Sequence, residues 1–275
     1  MKRLLFAFVF IICSVSARAE LIAVDHPDPG VFQKKWTWTK YYQGQKSKAL
    51  IVFIPGGEGQ FNFDPMKKTD VTFHFSNTLK NLTKNIPGVS LGQFDLVMFD
   101  SPYPIQVMGG RAYPQSYRPG ERASLDHAQR IQSVIEYYKN KTGLPIIILG
   151  HSNGALSISF YYGHTIEQKD KFKILPNLIV LSGARYEERL PKSIKTPVVF
   201  IHHKNDKCSG TLFEDTKNYY NELIKENPNR AKLIEIESGT DEGIRPCDGN
   251  SHHMMYQADD EYVSKLSQTL LKFLP

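Results

Sequence analysis

Five short stretches of this chain are almost continuously apolar: Ala49 to Ile54, Phe94 to Phe99, Ile146 to Leu149, Leu178 to Leu181 and Val198 to His202. A strand covered on one face alternates apolar and polar residues, so unbroken runs predict strands covered on both faces, as in a parallel sheet. Val31 to Tyr42 reads differently. There aromatic and polar residues alternate around Trp36, Trp38 and Tyr42, which predicts a half-exposed strand and an antiparallel start to the sheet. Helix-length segments fall between the apolar runs, at Pro119 to Thr142, Asn153 to His164, Leu212 to Glu226 and Asp259 to Leu274. In the last of them Val263, Leu266, Leu270 and Phe273 recur at steps of three and four and share one helix face. The alternation of strand and helix predicts an α/β class protein, a parallel sheet with helices on both faces joined by right-handed crossovers. No repeat, low-complexity tract or linker divides the chain.

Ser101 to Gly120 breaks this rhythm with four prolines, Gly109-Gly110 and tyrosines at 103, 113 and 117. It is expected to be a long loop over one end of the sheet, and loops of that length often serve as lids or binding loops.

The first residues bear on compartment. Lys2 and Arg3 precede an apolar run from Leu4 to Ile12, and Ala17-Arg18-Ala19 offers small residues at the spacing signal peptidase prefers. Residues 1–19 are therefore expected to be a signal peptide and 20–275 a single domain, exported to the periplasm or secreted. An apolar run of about nine residues is too short to span a bilayer, which needs roughly 20. Cys13 follows Ile11-Ile12 instead of a small residue, so it reads as part of the leader and not as a lipidation site. The net charge of +6 includes Lys2, Arg3 and Arg18, so the expected mature chain carries 6 − 3 = +3, without a basic block. That balance does not call for a nucleic-acid partner, and no other stretch is long and apolar enough to predict a membrane span.

Maturation would leave Cys208 and Cys247, an even pair in an exported chain, and such pairs form disulfides. In the loop-entropy view, a bridge closing about 40 residues stabilises by roughly 4 kcal/mol. Two unpaired buried thiols are the alternative. Neither cysteine sits in a C-x-x-C unit, which disfavours zinc.

The chemistry centres on Gly150-His151-Ser152-Asn153-Gly154, between an apolar strand and a predicted helix. The bare G-x-S-x-G pattern arises by chance in roughly one chain in ten of this length. Its placement is more telling, because a strand-to-helix turn of this kind holds the serine in a strained, protruding conformation and needs small neighbours at Gly150 and Gly154. A serine hydroxyl is a weak nucleophile and must stand where a base can take its proton. The Asn153 N–H, at the start of the helix, is a candidate oxyanion donor. The glycines of Ile54-Pro55-Gly56-Gly57-Glu58-Gly59 allow close backbone approach after an earlier strand, and the N–H of Gly57 is the second candidate.

An acid and a base should follow in that order along the chain. Asp206 comes just after the apolar run ending at His202, where a strand end would present a carboxylate. Asp215 falls in a predicted helix and Asp241 in a loop far from a strand end. The base is expected from Gly249-Asn250-Ser251-His252-His253-Met254-Met255, the loop before the last helix. It would take the serine proton and return it to the leaving group, oriented by Asp206. His127 reads as a helix residue, His202 and His203 as residues that pack or bond at a strand end, and His151 as part of the turn. A metal site made from the two histidine pairs is disfavoured, since adjacent residues on an extended segment point in opposite directions.

These residues resemble exported bacterial α/β-hydrolases of unassigned substrate. The resemblance rests on Pro55-Gly56-Gly57-Glu58-Gly59, on Phe99-Asp100-Ser101-Pro102, on the turn at Gly150 to Gly154, and on His202 to Cys208 followed by Cys247 and a histidine. It implies an α/β-hydrolase fold with a mostly parallel central sheet, an antiparallel N-terminal strand or hairpin, and helices on both faces. In similar sequences the acid stands two residues before a cysteine, as Asp206 does before Cys208, and the histidine six beyond the second cysteine, which points to His253. The commoner register of this fold, a glycine three residues before the histidine, points from Gly249 to His252. Both remain candidates, with the cysteine-anchored rule favouring His253. Met254-Met255 departs from the small residue and aromatic usual in the group.

The expected activity is carboxylesterase-like: cleavage of an ester, or less readily an amide, through an acyl-enzyme on Ser152, with no cofactor and a small-molecule or acyl substrate. A peptidase of the same fold and a non-catalytic binding protein on the same scaffold are the alternatives. A dehalogenase would carry aspartate where Ser152 stands.

Overall fold

The computed structural model describes residues 19–27, 34–66, 74–102, 122–185 and 189–274. Residues 1–18 of the leader expected at 1–19 and almost all of the loop expected at 101–120 lie outside them. In chain order the elements are β1 (Glu20–Asp25), β2 (Trp36–Tyr42), β3 (Ala49–Ile54), α1 (His74–Lys80), β4 (Asn85–Ile86), β5 (Ser90–Leu91), β6 (Phe94–Asp100), α2 (Leu125–Thr142), β7 (Ile146–His151), α3 (Asn153–Glu167), β8 (Leu178–Ser182), β9 (Val198–His203), α4 (Phe213–Glu226), β10 (Ala231–Ile236) and α5 (Asp259–Phe273). Eight strands form one sheet in the order β1-β2-β6-β3-β7-β8-β9-β10, and β4 and β5 make a small separate pair. From β6 to β10 neighbouring strands are parallel, while β1 and β2 run antiparallel to their neighbours.

Each apolar run divides between two cores. Successive side chains of a strand point to opposite faces, so Leu50, Val52 and Ile54 of β3 face the core built with α2, α3 and α4, and Ala49, Ile51 and Phe53 face the core built with α1 and α5. The same split holds in β7, where Ile146 and Ile148 oppose Ile147 and Leu149, and in β9, where Val198 and Phe200 oppose Val199 and Ile201. The predicted stripe of α5 lands on the second core through Val263, Leu266 and Leu270, with Phe273 packed at its margin.

Differences from the sequence reading have local causes. The strand expected from Val31 begins at Trp36 among the described residues, and 31–33 lie outside them. Its more buried face carries Thr37, Thr39 and Tyr41, not the tryptophans. Those polar groups are satisfied beneath α2: Thr39 Oγ1 lies 2.7 Å from Tyr138 Oη, and Tyr41 donates to Asp95 at 2.6 Å. Arg130 of α2, fully buried, donates to Asp126 at 2.9 Å and to the Trp36 carbonyl and Thr37 Oγ1 of β2 at 3.3 Å each, tying helix to strand. Helix α2 starts at Leu125, later than Pro119, because Ser124 caps it by accepting from the His127 N–H. It ends at the left-handed Gly143. The antiparallel hairpin expected at the N-terminal side of the sheet is formed by β1 and β2, whereas α1, β4, β5 and β10 were not anticipated. Helix α1 and strands β4 and β5 are short, and β10 (AKLIEI) is an edge strand whose Lys232 and Glu235 interrupt the apolar run.

The turn from β7 into α3 passes so close to β3 that a Cβ on Gly154 would sit 2.1 Å from the Ile54 carbonyl oxygen. Two backbones meet there, and neither can yield as a flexible side chain would. Gly154→Ala is expected to lower stability in urea denaturation by about 1–3 kcal/mol, the usual range for overpacking; an unchanged midpoint would show that the contact is not needed.

Candidate active site

Strand β7 ends at His151 and α3 begins at Asn153, so Ser152 alone makes the turn, at φ 54° and ψ −121°. A side chain bearing residue at positive φ is held there against its own preference. Its N–H donates to the Ser182 carbonyl of β8 at 2.9 Å, and its carbonyl accepts from the Ala155 N–H at 3.0 Å. The loop after β3 presses on the same turn: a Cβ on Gly56 would lie 2.9 Å from both the His151 oxygen and Ser152 Cβ. The Gly56 carbonyl accepts from the Gly59 N–H at 3.0 Å. Across a planar trans peptide this turns the Gly57 N–H the opposite way. Gly57 and Asn153 line one pocket with Ser152, and among the described residues neither N–H has a backbone acceptor. Asp100, at the end of β6, fastens the rest of the loop by accepting from the N–H groups of Phe61, Asn62 and Phe63.

Asp206 stands just beyond β9 and is buried. Its Oδ2 accepts from His253 Nδ1 at 2.8 Å, His202 Nε2 at 2.9 Å and Thr211 Oγ1 at 3.3 Å, while Oδ1 accepts from the Cys208 N–H at 2.8 Å. Burial pushes this carboxyl up, but the hydrogen bonds from His202 and His253, with their charge interactions, outweigh it and hold the group well below the ordinary aspartate range. His253 Nδ1 is thus committed to Asp206, with Thr211 Oγ1 also 3.2 Å away. Nε2 is the ring nitrogen left for a serine proton.

The two candidate histidines separate by their partners. His253 is buried, meets Asp206 and lines the pocket with Ser152. His252 does neither: its ring stacks on His203 at 4.1 Å, and its Nδ1 lies 3.8 Å from Asp241. The competing acids fall elsewhere, Asp241 beside His252 and Asp215 on α4. His203 Nε2 bonds the Ser238 carbonyl at 2.9 Å and its Nδ1 accepts from the Asn205 N–H, a neutral ring whose pKa burial lowers further.

His202 is the functional neighbour that sequence reasoning placed only as a strand-end residue. It is fully buried, with Nδ1 2.5 Å from Thr216 Oγ1 and Nε2 on the Asp206 carboxylate. The spacing of four from His202 to Asp206 was visible, but on a strand followed by a turn that spacing has no fixed geometry. His151 is buried too, stacked on Phe75 at 4.1 Å and 5.0 Å from the His253 ring. Its Nδ1 lies 3.1 Å from Ser182 Oγ, to which Tyr262 also donates. Burial first, then the neighbouring His253, hold its pKa well below the ordinary value, so it adds no positive charge beside His253. His127 packs in α2 against Phe99, lowered by burial to about 3. Among the described residues no group of three or more His, Cys, Asp or Glu side chains is placed to hold a metal ion, and no helix is long and apolar enough to cross a membrane.

The pocket holds about 390 Å³. Phe53, Phe75 and Met254 supply apolar walls, Ser76, Thr211 and Arg185 polar ones. The Cys208–Cys247 disulfide forms part of its lining and joins the loop of Asp206 to the loop of His253 across a sequence separation of 39. A larger, open groove along α4, lined by Arg189, Asp215, Asn218 and Glu222, shares no residue with it.

A mostly parallel sheet with an antiparallel hairpin at one edge, helices on both faces, and a serine at a strand-to-helix turn define the α/β-hydrolase fold. No protein-family model and no curated protein matches the sequence. Solved structures do match in fold. An α/β serine hydrolase without a lid from Xanthomonas campestris is 10% identical, with a TM-score of 0.54 over 94% of this chain and 95% of its own. The dienelactone hydrolase of Anabaena variabilis is 11% identical, with a TM-score of 0.56 over 94% of this chain and 99% of its own. The acylaminoacyl peptidase of Pyrococcus horikoshii is 12% identical, with a TM-score of 0.56, and there 94% of this chain matches 41% of the longer protein.

Two predictions follow from the Asp206 surroundings. A carboxyl whose folded pKa is depressed contributes stability that is complete above its unfolded value and is lost as pH falls through the folded one. The thermal midpoints of wild type and Asp206→Asn are therefore expected to converge as pH is lowered from about 4, the unfolded value; midpoints that stay parallel would show that the carboxylate is not the stabilised form. Second, mild reduction of Cys208–Cys247 is expected to reduce turnover while far-UV circular dichroism is retained, because the link between the acid and histidine loops is cut. Full activity after proven reduction would exclude that coupling.

Proposed function

We propose that this chain is an exported serine hydrolase that cleaves a carboxylic ester of a small or partly apolar acyl group. The observation that carries the reading is the conjunction of Ser152 at positive φ with His253, in the same pocket, hydrogen-bonded through Nδ1 to an ionised, buried Asp206. In this reading Ser152 Oγ attacks the ester carbonyl carbon as His253 Nε2 takes its proton. The N–H groups of Gly57 and Asn153 receive the negative oxygen of the tetrahedral intermediate. Loss of one such donor commonly costs about 100-fold or more in rate. Collapse breaks the bond to the alcohol oxygen, which leaves with the proton from His253. Water, activated by the same imidazole, then attacks the acyl-enzyme and releases the acid.

The pocket supports an ester of modest size, since about 390 Å³ is at the small end of ligand cavities. Likeness in fold to a dienelactone hydrolase and to an acylaminoacyl peptidase is compatible with ester or amide cleavage. Export is supported by the leader pattern at residues 1–19 and by the disulfide beside the site.

The test is active-site labelling. A fluorophosphonate is expected to modify the mature protein at Ser152, and Ser152→Ala and His253→Ala are expected to lose labelling while His252→Ala keeps it. Well-folded wild type that resists labelling would favour a non-catalytic binding role. p-Nitrophenyl esters of increasing chain length, run beside aminopeptidase substrates, separate esterase from peptidase.

A further inference from the structure

Arg122 lies just ahead of α2 and is buried, 2% exposed. Its Nη1 donates to Ser157 Oγ of α3 at 2.6 Å, and its Nη2 donates to the Gly57 carbonyl at 2.8 Å and the Pro55 carbonyl at 3.3 Å. Nε has no hydrogen-bond partner. Among the described residues no carboxylate pairs with the guanidinium, and burial alone lowers it, to about 9, so it remains a cation at neutral pH. Buried arginines are ordinarily paired with an acid, because the charge has been taken out of water. If the fold needed only a tether between two carbonyls and a serine, a neutral amide would serve without that burden.

The placement of the three bonds explains the charge. The Pro55 and Gly57 carbonyls belong to the peptides on either side of the one that carries the Gly57 N–H, and the carbonyl of that middle peptide is held by the Gly59 N–H. Asn153 Nδ2 also reaches the Gly57 carbonyl, at 3.4 Å. All three peptides of the turn are thereby held through their carbonyls, and among the described residues the Gly57 N–H is left without a backbone acceptor.

We propose that Arg122 is a positioning residue of the oxyanion hole: it aims the Gly57 N–H at the pocket and sets a positive charge behind the place where the tetrahedral oxyanion forms. The proposal rests on the serine-hydrolase reading above. Positive charge in a water-poor surrounding favours the oxyanion over the neutral ester, so it acts on the transition state more than on substrate binding.

The test compares wild type with Arg122→Gln, Arg122→Lys and Ser157→Ala. Each is examined by circular dichroism and thermal melting, by kcat and KM on a short p-nitrophenyl ester, and by the affinity of a trifluoromethyl ketone, whose adduct with Ser152 bears the oxyanion. Arg122→Gln is expected to lower kcat by about 10- to 100-fold with little change in KM, and to weaken the ketone by the same factor. Arg122→Lys, which keeps the charge but not the fork, is expected to stand between Gln and wild type. Ser157→Ala frees one end of the guanidinium and is expected to give a smaller loss in kcat and ketone affinity, in step with each other. A folded Arg122→Gln with wild-type kcat and ketone affinity overturns the proposal, and so does a Lys variant no better than Gln. Should Arg122→Gln fail to fold, a Ser157→Ala protein with both quantities unchanged overturns it. Wild type that neither reacts with fluorophosphonate nor turns over any ester overturns the parent reading and this proposal together, a result distinct from an active wild type indifferent to Arg122.

Discussion

A carboxylate removed from water must be surrounded by donors or take up a proton, and the arrangement of this protein's candidate site follows from how that requirement is met at Asp206. Four groups supply the donors: the ring of His253, the ring of His202, the hydroxyl of Thr211 and the backbone N–H of Cys208. They come from three parts of the chain, the end of β9, the turn leading to α4, and the loop before α5. Satisfying one buried charge therefore assembles those parts. It also fixes which nitrogen of His253 is left over, and so the direction in which the ring can act.

Ser152 is held by a different kind of contact. Ser152 makes no use of a charged partner; its strained turn is fixed by backbone packing, with the β3 carbonyl of Ile54 beneath Gly154 and the loop at Gly56 against its own Cβ. Packed backbone cannot adapt by rotating a side chain, which suits a group whose position must be reproducible. Asp206 and His253 are thus held by hydrogen bonds around a charge, Ser152 and the turn at Gly56 by close packing. The two systems are brought together by the parallel alignment of β7, β8 and β9, and the His151 ring beside Ser152 lies 5.0 Å from that of His253.

Much of this was legible in the sequence because parallel strands buried on both faces write themselves as unbroken apolar runs, and five of the eight strands in the main sheet did so. The turn at Ser152 was legible because its chemistry demands glycine on both sides. What could not be read was of two kinds. Short or interrupted elements show no clear period: α1 spans only two turns, and Lys232 and Glu235 break the apolar run of β10. Long-range polar partners leave no local trace: nothing near His202 marks it as a donor to Asp206, and nothing near Arg122 marks it as the clamp on a loop 65 residues earlier. The choice between His252 and His253 fell between these kinds. Sequence spacing offered two conflicting registers, and the geometric difference is a partner, Asp206, supplied from 47 residues away.

The loop that carries His253 shows why a covalent link belongs there. Residues 241 to 250 are largely exposed, so the hydrophobic effect contributes little to holding them. Their order comes from tight backbone turns, Asp248 N–H to Arg245, Ser251 N–H to Asp248 and Met254 N–H to Ser251, and hydrogen bonds of that kind are worth only about 0.5–1.5 kcal/mol each when water competes. At the far end the loop is anchored by Met255, fully buried in the core beneath α5. At the near end the anchor is Cys247, bonded to Cys208 two residues beyond Asp206. A bridge closing a loop of this size is worth roughly 4 kcal/mol in the loop-entropy account, more than any of those turns. The bond does not make the contact between Asp206 and His253, which is 2.8 Å of hydrogen bond; it narrows the set of positions from which the histidine loop can approach, and a buried charge then selects one of them.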